Sequence, residues 1–135
     1  MLKIKVCQYQ KLLSNKSFVI MYYVKKTIEV AMAHRLCLNY ESKCCNLHGH
    51  NAIVTVFCRS EKLNENGMVI DFSKIKETIY NLLDHKFVND VVMFNPTAEN
   101  LAKWICESIP NCYKVIFRES TNNIAAYAKD SDATI

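Results

Sequence analysis

Hydrophobic and polar residues alternate along two stretches in the first half of the chain. From Tyr23 onward, Val24, Ile28, Val30 and Met32 share one parity, which is the period of a strand with one buried face. An irregular segment at 37–47 interrupts this pattern and predicts a loop. The alternation then returns on a second set of residues: Ala52, Val54, Val56 and Cys58. The turn-like residues at 64–67 end this second strand, and 68–70 is predicted to be a short extended piece.

The apolar spacing changes to that of helices in the second half. One helical stripe begins after a capping residue at Asp71 or Ser73 and ends near Asp84; it consists of Ile75, Ile79, Leu82 and Leu83. A second helix is predicted between Pro96 and Pro110, and strands at about 113–119 and 124–128 complete the chain. The order ββααββ predicts an α+β domain, an antiparallel four-stranded sheet with two helices on one face.

Charge and cysteine usage restrict the class of protein. The net charge of +4 arises from four lysines in the first twenty residues, which carry no acid, so residues 21–135 balance to zero. A neutral body argues against a nucleic-acid-binding domain. The seven cysteines are odd in number, and no secretion signal or membrane span is apparent. We therefore expect a cytoplasmic protein with reduced thiols and no membrane association.

Three histidines are candidates for metal ligands. His48 and His50 share the buried parity of the second strand, roughly 7 Å apart at strand rise, and His34 ends the first strand with inward parity. If the two strands pair antiparallel, the three imidazoles meet and form a catalytic zinc site with an open fourth position. Alternatively, such a histidine pair is polar surface or hydrogen-bonded core.

The other candidates each have a structural explanation as well as a chemical one. A thiol close to zinc would ionise readily, but this applies to Cys44 and Cys45 alike. An Asp84-His85 pair can exchange protons, or it is a favourable charge at a helix end. Glu119 has inward strand parity and, as a buried acid, needs a partner; a guanidine-like edge on a ligand, with two N–H donors side by side, would supply one. Helix-start roles are the preferred explanation for two further residues, Thr97 and Glu99.

Six segments together resemble the 6-pyruvoyltetrahydropterin and 6-carboxytetrahydropterin synthase family, over about residues 21–128. They are AMAHRL (31–36), KCCNLHGHN (43–51), VIDF (69–72), LLDHKFVND (82–90), NPTAENLAKWI (95–105) and Glu119 to Tyr127. Only three residues separate Cys44 from His48, and this spacing resembles the bacterial 6-carboxytetrahydropterin branch. We therefore predict a single domain at 21–135, preceded by an unmatched N-terminal extension at 1–20.

The resemblance implies a role for each of the matched residues. His34, His48 and His50 would hold Zn2+, and Cys44 would act as the catalytic thiol. Asp84 and His85 would complete a catalytic triad with it. The remaining matched residues would hold the pterin: Thr97, Glu99 and Glu119. The basic candidates for the phosphate chain are Lys43, Arg35 and Lys86.

The implied reaction converts 7,8-dihydroneopterin triphosphate to 6-carboxy-5,6,7,8-tetrahydropterin, acetaldehyde and triphosphate, on the route to queuosine. The family also implies a tunnelling fold and a homo-hexamer, a dimer of trimers with active sites between subunits. Two positions depart from the expected pattern, Cys45 and Ala52. Two alternatives stay open: 6-pyruvoyltetrahydropterin formation, and a non-catalytic zinc- or pterin-binding protein.

Overall fold

A computed structural model describes residues 18–131 and 134–135 of the chain. Of the N-terminal extension predicted at 1–20, residues 1–17 therefore lie outside the described residues. In the part of the chain that is described, neither α-helix has the length and apolar character needed to cross a membrane.

A five-stranded sheet forms the centre of the molecule, in the order β3-β1-β2-β4-β5. Its strands are β1 (Tyr22–His34), β2 (His48–Ser60), β3 (Lys86–Phe87), β4 (Cys112–Arg118) and β5 (Ile124–Ala128). All neighbours are antiparallel except β3, which runs parallel to β1. The long β1–β2 ladder brings its ends together, so that His34 faces His48 across the two strands.

Both helices pack on one face of this sheet. Helix α1 (Phe72–Leu83) begins at Asp71, whose side chain accepts a hydrogen bond from the Ser73 backbone N–H. Helix α2 (Ala98–Ser108) begins at Thr97 in the same manner. The buried faces of both helices join the alternate apolar residues of β1, β2 and β4 in one continuous core. The predicted α+β architecture is therefore confirmed, and the predicted strands and helices occur in the predicted order, with one further short strand between the two helices.

Three details differ from the sequence prediction. The sheet has five strands rather than four, because Lys86 and Phe87 pair with Met32 and Ala33 of β1, and this pairing is parallel. A two-residue strand is too short to show an alternating pattern. It forms because a hydrogen bond holds the chain after α1 against β1: the His85 N–H donates to the Ala31 carbonyl at 2.7 Å. Residues 68–70 do not form a strand. Single 3-10 turns, which leave no periodic signal, occur at 43–45 and 88–90.

Candidate active site

The three predicted histidines converge at one end of the β1–β2 ladder. Their ring centroids are 4.6 Å apart for His34 and His48, 5.1 Å for His34 and His50, and 4.9 Å for His48 and His50. One nitrogen from each ring lies within 4.8 Å of the other two. This follows from the strand register, since residues 48 and 50 of β2 share one face and residue 34 faces 48 across the ladder.

Backbone carbonyls orient two of these rings. His34 Nδ1 lies 2.9 Å from the Pro96 carbonyl oxygen, and His48 Nδ1 lies 2.8 Å from the Asn46 carbonyl oxygen. A carbonyl can only accept, so each Nδ1 carries a proton, and in the neutral imidazole Nε2 then keeps a free lone pair. Such second contacts orient the imidazoles in metal sites and fix their tautomer.

The interior of the cluster contains polar atoms without hydrogen bonds. Nε2 of His34 and Nε2 of His50 are buried and have no hydrogen-bond partner among the described residues. Burial, the largest influence, lowers the pKa of His34, although the Pro96 carbonyl and Glu119 act in the opposite direction. Buried lone pairs without a donor are costly. A cation bound between the rings would satisfy them, so the donor set fits a metal ion.

Gly49 lets the two strands approach closely between the paired histidines. A Cβ atom added at this position would lie 3.2 Å from the Met32 carbonyl oxygen, which is tighter than an ordinary contact. A side chain here would push β2 away from β1, and with it the rings of His48 and His50.

Asp84 and His85 form a second polar pair just after α1. Asp84 Oδ1 accepts a hydrogen bond from the Ala31 backbone N–H at 3.1 Å, and Oδ2 lies 3.0 Å from His85 Nδ1. Burial acts to raise the pKa of Asp84, but the hydrogen bonds from Ala31 and His85 outweigh it, so the net shift is downward. The carboxylate therefore stays ionised and fixes both the backbone and the imidazole.

His85 has a backbone conformation that non-glycine residues rarely adopt. Its φ is +55°, at the position after a helix where glycine is usual. The side chain is 83% exposed, so packing does not explain the choice of residue. Strain of this kind is concentrated at functional sites. His85 and Lys86 also line a cavity of about 540 Å³ together with His50.

Cys44 lies in the loop between β1 and β2, where its carbonyl accepts a hydrogen bond from the Leu36 N–H at 2.8 Å. It belongs to the 3-10 turn Lys43–Cys45, where its backbone N–H donates to the Ser42 side chain at 3.2 Å. Its thiol is exposed. Within residues 18–131 it makes no hydrogen bond or ion pair with the histidine cluster or with Asp84 and His85. The neighbouring Cys45 is half-buried and points to the Tyr40 carbonyl at 3.9 Å.

The three predicted pterin residues border one cavity of about 460 Å³, formed between the start of α2 and the β4–β5 turn: Thr97, Glu99 and Glu119. The Thr97 hydroxyl caps α2 by accepting from the Asn100 N–H at 3.2 Å. Its helix-start explanation is thus correct, and it is compatible with a place beside a ligand. Glu119 additionally points to the histidine cluster, with Oε1 3.4 Å from His34 Nε2.

A family model described as 6-pyruvoyl tetrahydropterin synthase matches residues 23–130. The chain belongs to this family. Proteins of the family act on pterins, so the matched domain is that of a pterin-processing enzyme.

Individual relatives agree with this assignment. The chain is 24% identical over 123 residues to 6-carboxy-5,6,7,8-tetrahydropterin synthase of Bacillus subtilis, covering 78% of this chain and 84% of that protein. It is 41% identical over 66 residues to dihydroneopterin monophosphate aldolase of Pyrococcus furiosus, covering 47% and 55%. The structure of Caenorhabditis elegans 6-pyruvoyl tetrahydropterin synthase superimposes with a TM-score of 0.65 at 26% identity, covering 83% of this chain and 98% of that one. The tunnelling fold implied by the resemblance is thereby confirmed.

Two asparagines of this pterin synthase domain were missed by the sequence analysis. The Asn89 side chain accepts from the Arg35 N–H and donates to the Arg35 carbonyl, both at 2.9 Å. Asn95 makes the same pair of contacts, also at 2.9 Å, with Cys37. Each side-chain amide therefore makes the two backbone hydrogen bonds that a neighbouring strand would make. Together they hold the start of the segment that connects His34 to Cys44. Both lie in the matched segments, but nothing in the sequence indicated which backbone they would meet.

Proposed function

We propose that this protein is a 6-carboxy-5,6,7,8-tetrahydropterin synthase. It converts 7,8-dihydroneopterin triphosphate to 6-carboxytetrahydropterin, acetaldehyde and triphosphate, a step toward the deazapurine nucleoside queuosine. The observation that carries the proposal is the convergence of His34, His48 and His50 in a chain of the pterin synthase family. The similarity to the Bacillus subtilis enzyme and the short spacing between Cys44 and His48 favour the carboxy branch.

Zinc is the metal we assign to the three histidines, because three neutral imidazoles and no thiolate are typical of a catalytic zinc site. When bound, it would polarise hydroxyl groups of the substrate side chain and acidify the adjacent C–H bonds. The protein contributes the orientation. The Pro96 and Asn46 carbonyls hold the rings of His34 and His48 so that each Nε2 faces the centre.

Proton transfer is assigned to Cys44, Asp84 and His85. Cys44 would remove a proton from carbon, and His85 would exchange protons on the other side of the substrate. His85 is suited to this because Asp84 fixes its Nδ1 at 3.0 Å and leaves Nε2 for the ligand. It also faces the same cavity as His50, which provides space for the substrate side chain between them.

The pterin ring is assigned to the cavity bordered by Thr97, Glu99 and Glu119. Its amino group and ring N–H are donors arranged side by side, and a carboxylate meets them with two parallel hydrogen bonds. For the triphosphate we favour Lys86, which lines the cavity of His50 and His85, whereas Arg35 lines a different one.

We further propose that the protein is cytoplasmic and assembles as a homo-hexamer of two stacked trimers, with active sites between subunits. The short β3 and the five-residue β5 leave open edges on the sheet, and open edges favour pairing with another copy.

Product analysis tests this assignment. The purified, zinc-loaded protein is incubated with 7,8-dihydroneopterin triphosphate, and the products are identified by liquid chromatography and mass spectrometry. We expect 6-carboxytetrahydropterin with acetaldehyde and triphosphate. Triphosphate release without acetaldehyde indicates 6-pyruvoyltetrahydropterin formation, and no turnover of any dihydropterin by metal-loaded protein supports a non-catalytic binding protein. Either result would contradict the proposal.

A second activity is suggested by the similarity to dihydroneopterin monophosphate aldolase of Pyrococcus furiosus. The same site would then cleave a carbon–carbon bond of the monophosphate. Parallel incubations with the monophosphate and the triphosphate distinguish the aldolase activity from the synthase activity, because only the aldolase assignment predicts a preference for the monophosphate.

A further inference from the structure

Glu119 lies closer to the histidine nitrogens than a residue that only binds a pterin needs to be. Its Oε1 atom is 3.4 Å from His34 Nε2 and 3.7 Å from His50 Nε2. We propose that the Glu119 carboxylate is the fourth metal ligand in the substrate-free protein and leaves the metal when a pterin ring binds. This inference rests on the proposed metal and pterin sites and links one to the other.

The distances agree with a shared ion. Zinc binds histidine nitrogen and carboxylate oxygen at about 2.0 to 2.2 Å, so two ligand atoms of a tetrahedral site are separated by about 3.3 to 3.6 Å. The separation of Oε1 from His34 Nε2 falls in this range, and the separation from His50 Nε2 is only slightly longer. A single small cation can therefore contact all of these atoms after minor side-chain movement.

The hydrogen-bond pattern also requires a positive group at this point. Because His34 donates its Nδ1–H to the Pro96 carbonyl, its Nε2 presents a lone pair toward the carboxylate oxygen. Two acceptors facing each other at 3.4 Å repel unless a cation or a proton lies between them. A metal ion satisfies both, and it satisfies the equally unpaired Nε2 of His50.

The position of Glu119 allows it to serve two ligands in turn. Its backbone is fixed, since its N–H donates to the Asn123 carbonyl at 3.0 Å. Its side chain is 19% exposed and borders two cavities, one shared with His50 and one shared with Thr97. A change of side-chain rotamer can thus move the carboxylate from the histidine cluster to the pterin cavity.

Through this exchange, binding of the pterin ring would change the coordination of the metal. A pterin that pairs with Glu119 removes one anionic ligand, and the vacated position becomes available to the hydroxyls of the substrate side chain. A pterin without a side chain would also release the Glu119 carboxylate from the metal, but it would not react. Metal coordination should therefore respond to the ring alone.

The test compares the wild type, Glu119→Gln and the matched control Glu99→Gln, all prepared metal-free. Zinc affinity is measured by competition with a chelator, and cobalt(II) is bound separately as a probe of ligand number and type. We expect Glu119→Gln to weaken zinc binding by about tenfold or more and to change the cobalt absorption spectrum, with Glu99→Gln unchanged. A side-chain-free dihydropterin should shift the spectrum of the wild type but not that of Glu119→Gln.

Equal zinc affinity and identical cobalt spectra for the wild type and Glu119→Gln would overturn the inference, and would leave a histidine–glutamate ion pair as the explanation of the distances. Circular dichroism of both variants establishes that they are folded. The measurements need no turnover, so they remain informative if product analysis rejects the proposed reaction. Conversely, correct products from the wild type combined with equal metal affinities would reject only the role of Glu119.

Discussion

His34 and His48 are directly paired residues of the antiparallel β1–β2 ladder, with ring centroids 4.6 Å apart. The metal candidate therefore depends on strand register rather than on a loop. A slip of one residue would turn His48 and His50 to the opposite face. The register is specified by the continuous buried rows of both strands, so the same apolar residues that build the core also position the candidate ligands.

We expect His48→Ala to abolish stoichiometric metal binding and activity while the fold is retained. The side chain is partly exposed and lies at the end of the strand, and loss of one of the three histidine ligands removes most of the affinity. Metal analysis after dialysis and a thermal melt measure the two properties. Thr55→Ala, in the same strand, is the control and should bind metal normally. A fully metallated and active His48→Ala protein would refute the ligand assignment.

His85→Gly is expected to separate activity from stability. Glycine relieves a φ of +55°, which costs other residues about 1 kcal/mol, and little packing is lost because the imidazole is exposed. The variant should be as stable as the wild type or more so, with activity reduced at least a hundredfold if His85 transfers protons.

Urea unfolding and turnover rates test this prediction. Asn111, the other described non-glycine residue with positive φ, provides the control, since Asn111→Gly should retain activity. Wild-type turnover by His85→Gly would exclude a catalytic role for the imidazole.

Asn95→Ala should loosen the segment between β1 and the Cys44 turn. The amide makes two hydrogen bonds with the backbone of Cys37, and removing them costs about 1 to 2 kcal/mol. We expect faster amide hydrogen exchange at residues 35–45 and reduced turnover, with metal content unchanged. Asn95→Asp retains only the acceptor, so its rate of amide exchange should lie between those of the wild type and Asn95→Ala. Unchanged exchange in this segment would show that other contacts hold it.

The thiols should differ sharply in reactivity. A hydrogen bond with Cys112, with burial second, raises the pKa of Cys106 far above its ordinary value. For Cys112, the hydrogen bond with the Cys106 thiol lowers the pKa. The hydrogen bond with the Cys58 thiol and burial outweigh this effect and raise the pKa of Cys112 to about 11. A raised pKa keeps a thiol protonated, and therefore unreactive, at neutral and mildly alkaline pH.

Alkylation followed by peptide mass spectrometry tests this difference. At about pH 8, the exposed Cys37 and Cys44 should be modified in the native protein, whereas Cys106 and Cys112 should react only after denaturation in urea. Rapid native modification of Cys106 would indicate that this part of the core opens.

Patterns of local spacing in the sequence were sufficient to predict the two helices, the four longer strands and the three histidines on inward positions. These features were predictable because burial of one face imposes a period of two or 3.6 residues. Glu119 followed the same rule, since it continues the buried parity of Val115 and Phe117 into the turn after β4.

Only the tertiary structure determined how separate segments meet. No periodic pattern in the sequence predicts that Lys86 and Phe87 pair with β1. Nor does one predict that asparagine amides hold the chain beyond His34, or that Glu119 lies close to the histidine nitrogens. The sequence by itself determined which residues turn inward, because that depends on near neighbours in the chain. The structure determined which of them lie close enough to share a ligand, because contacts between residues 34, 50 and 119 depend on the packing of strands that are distant in sequence.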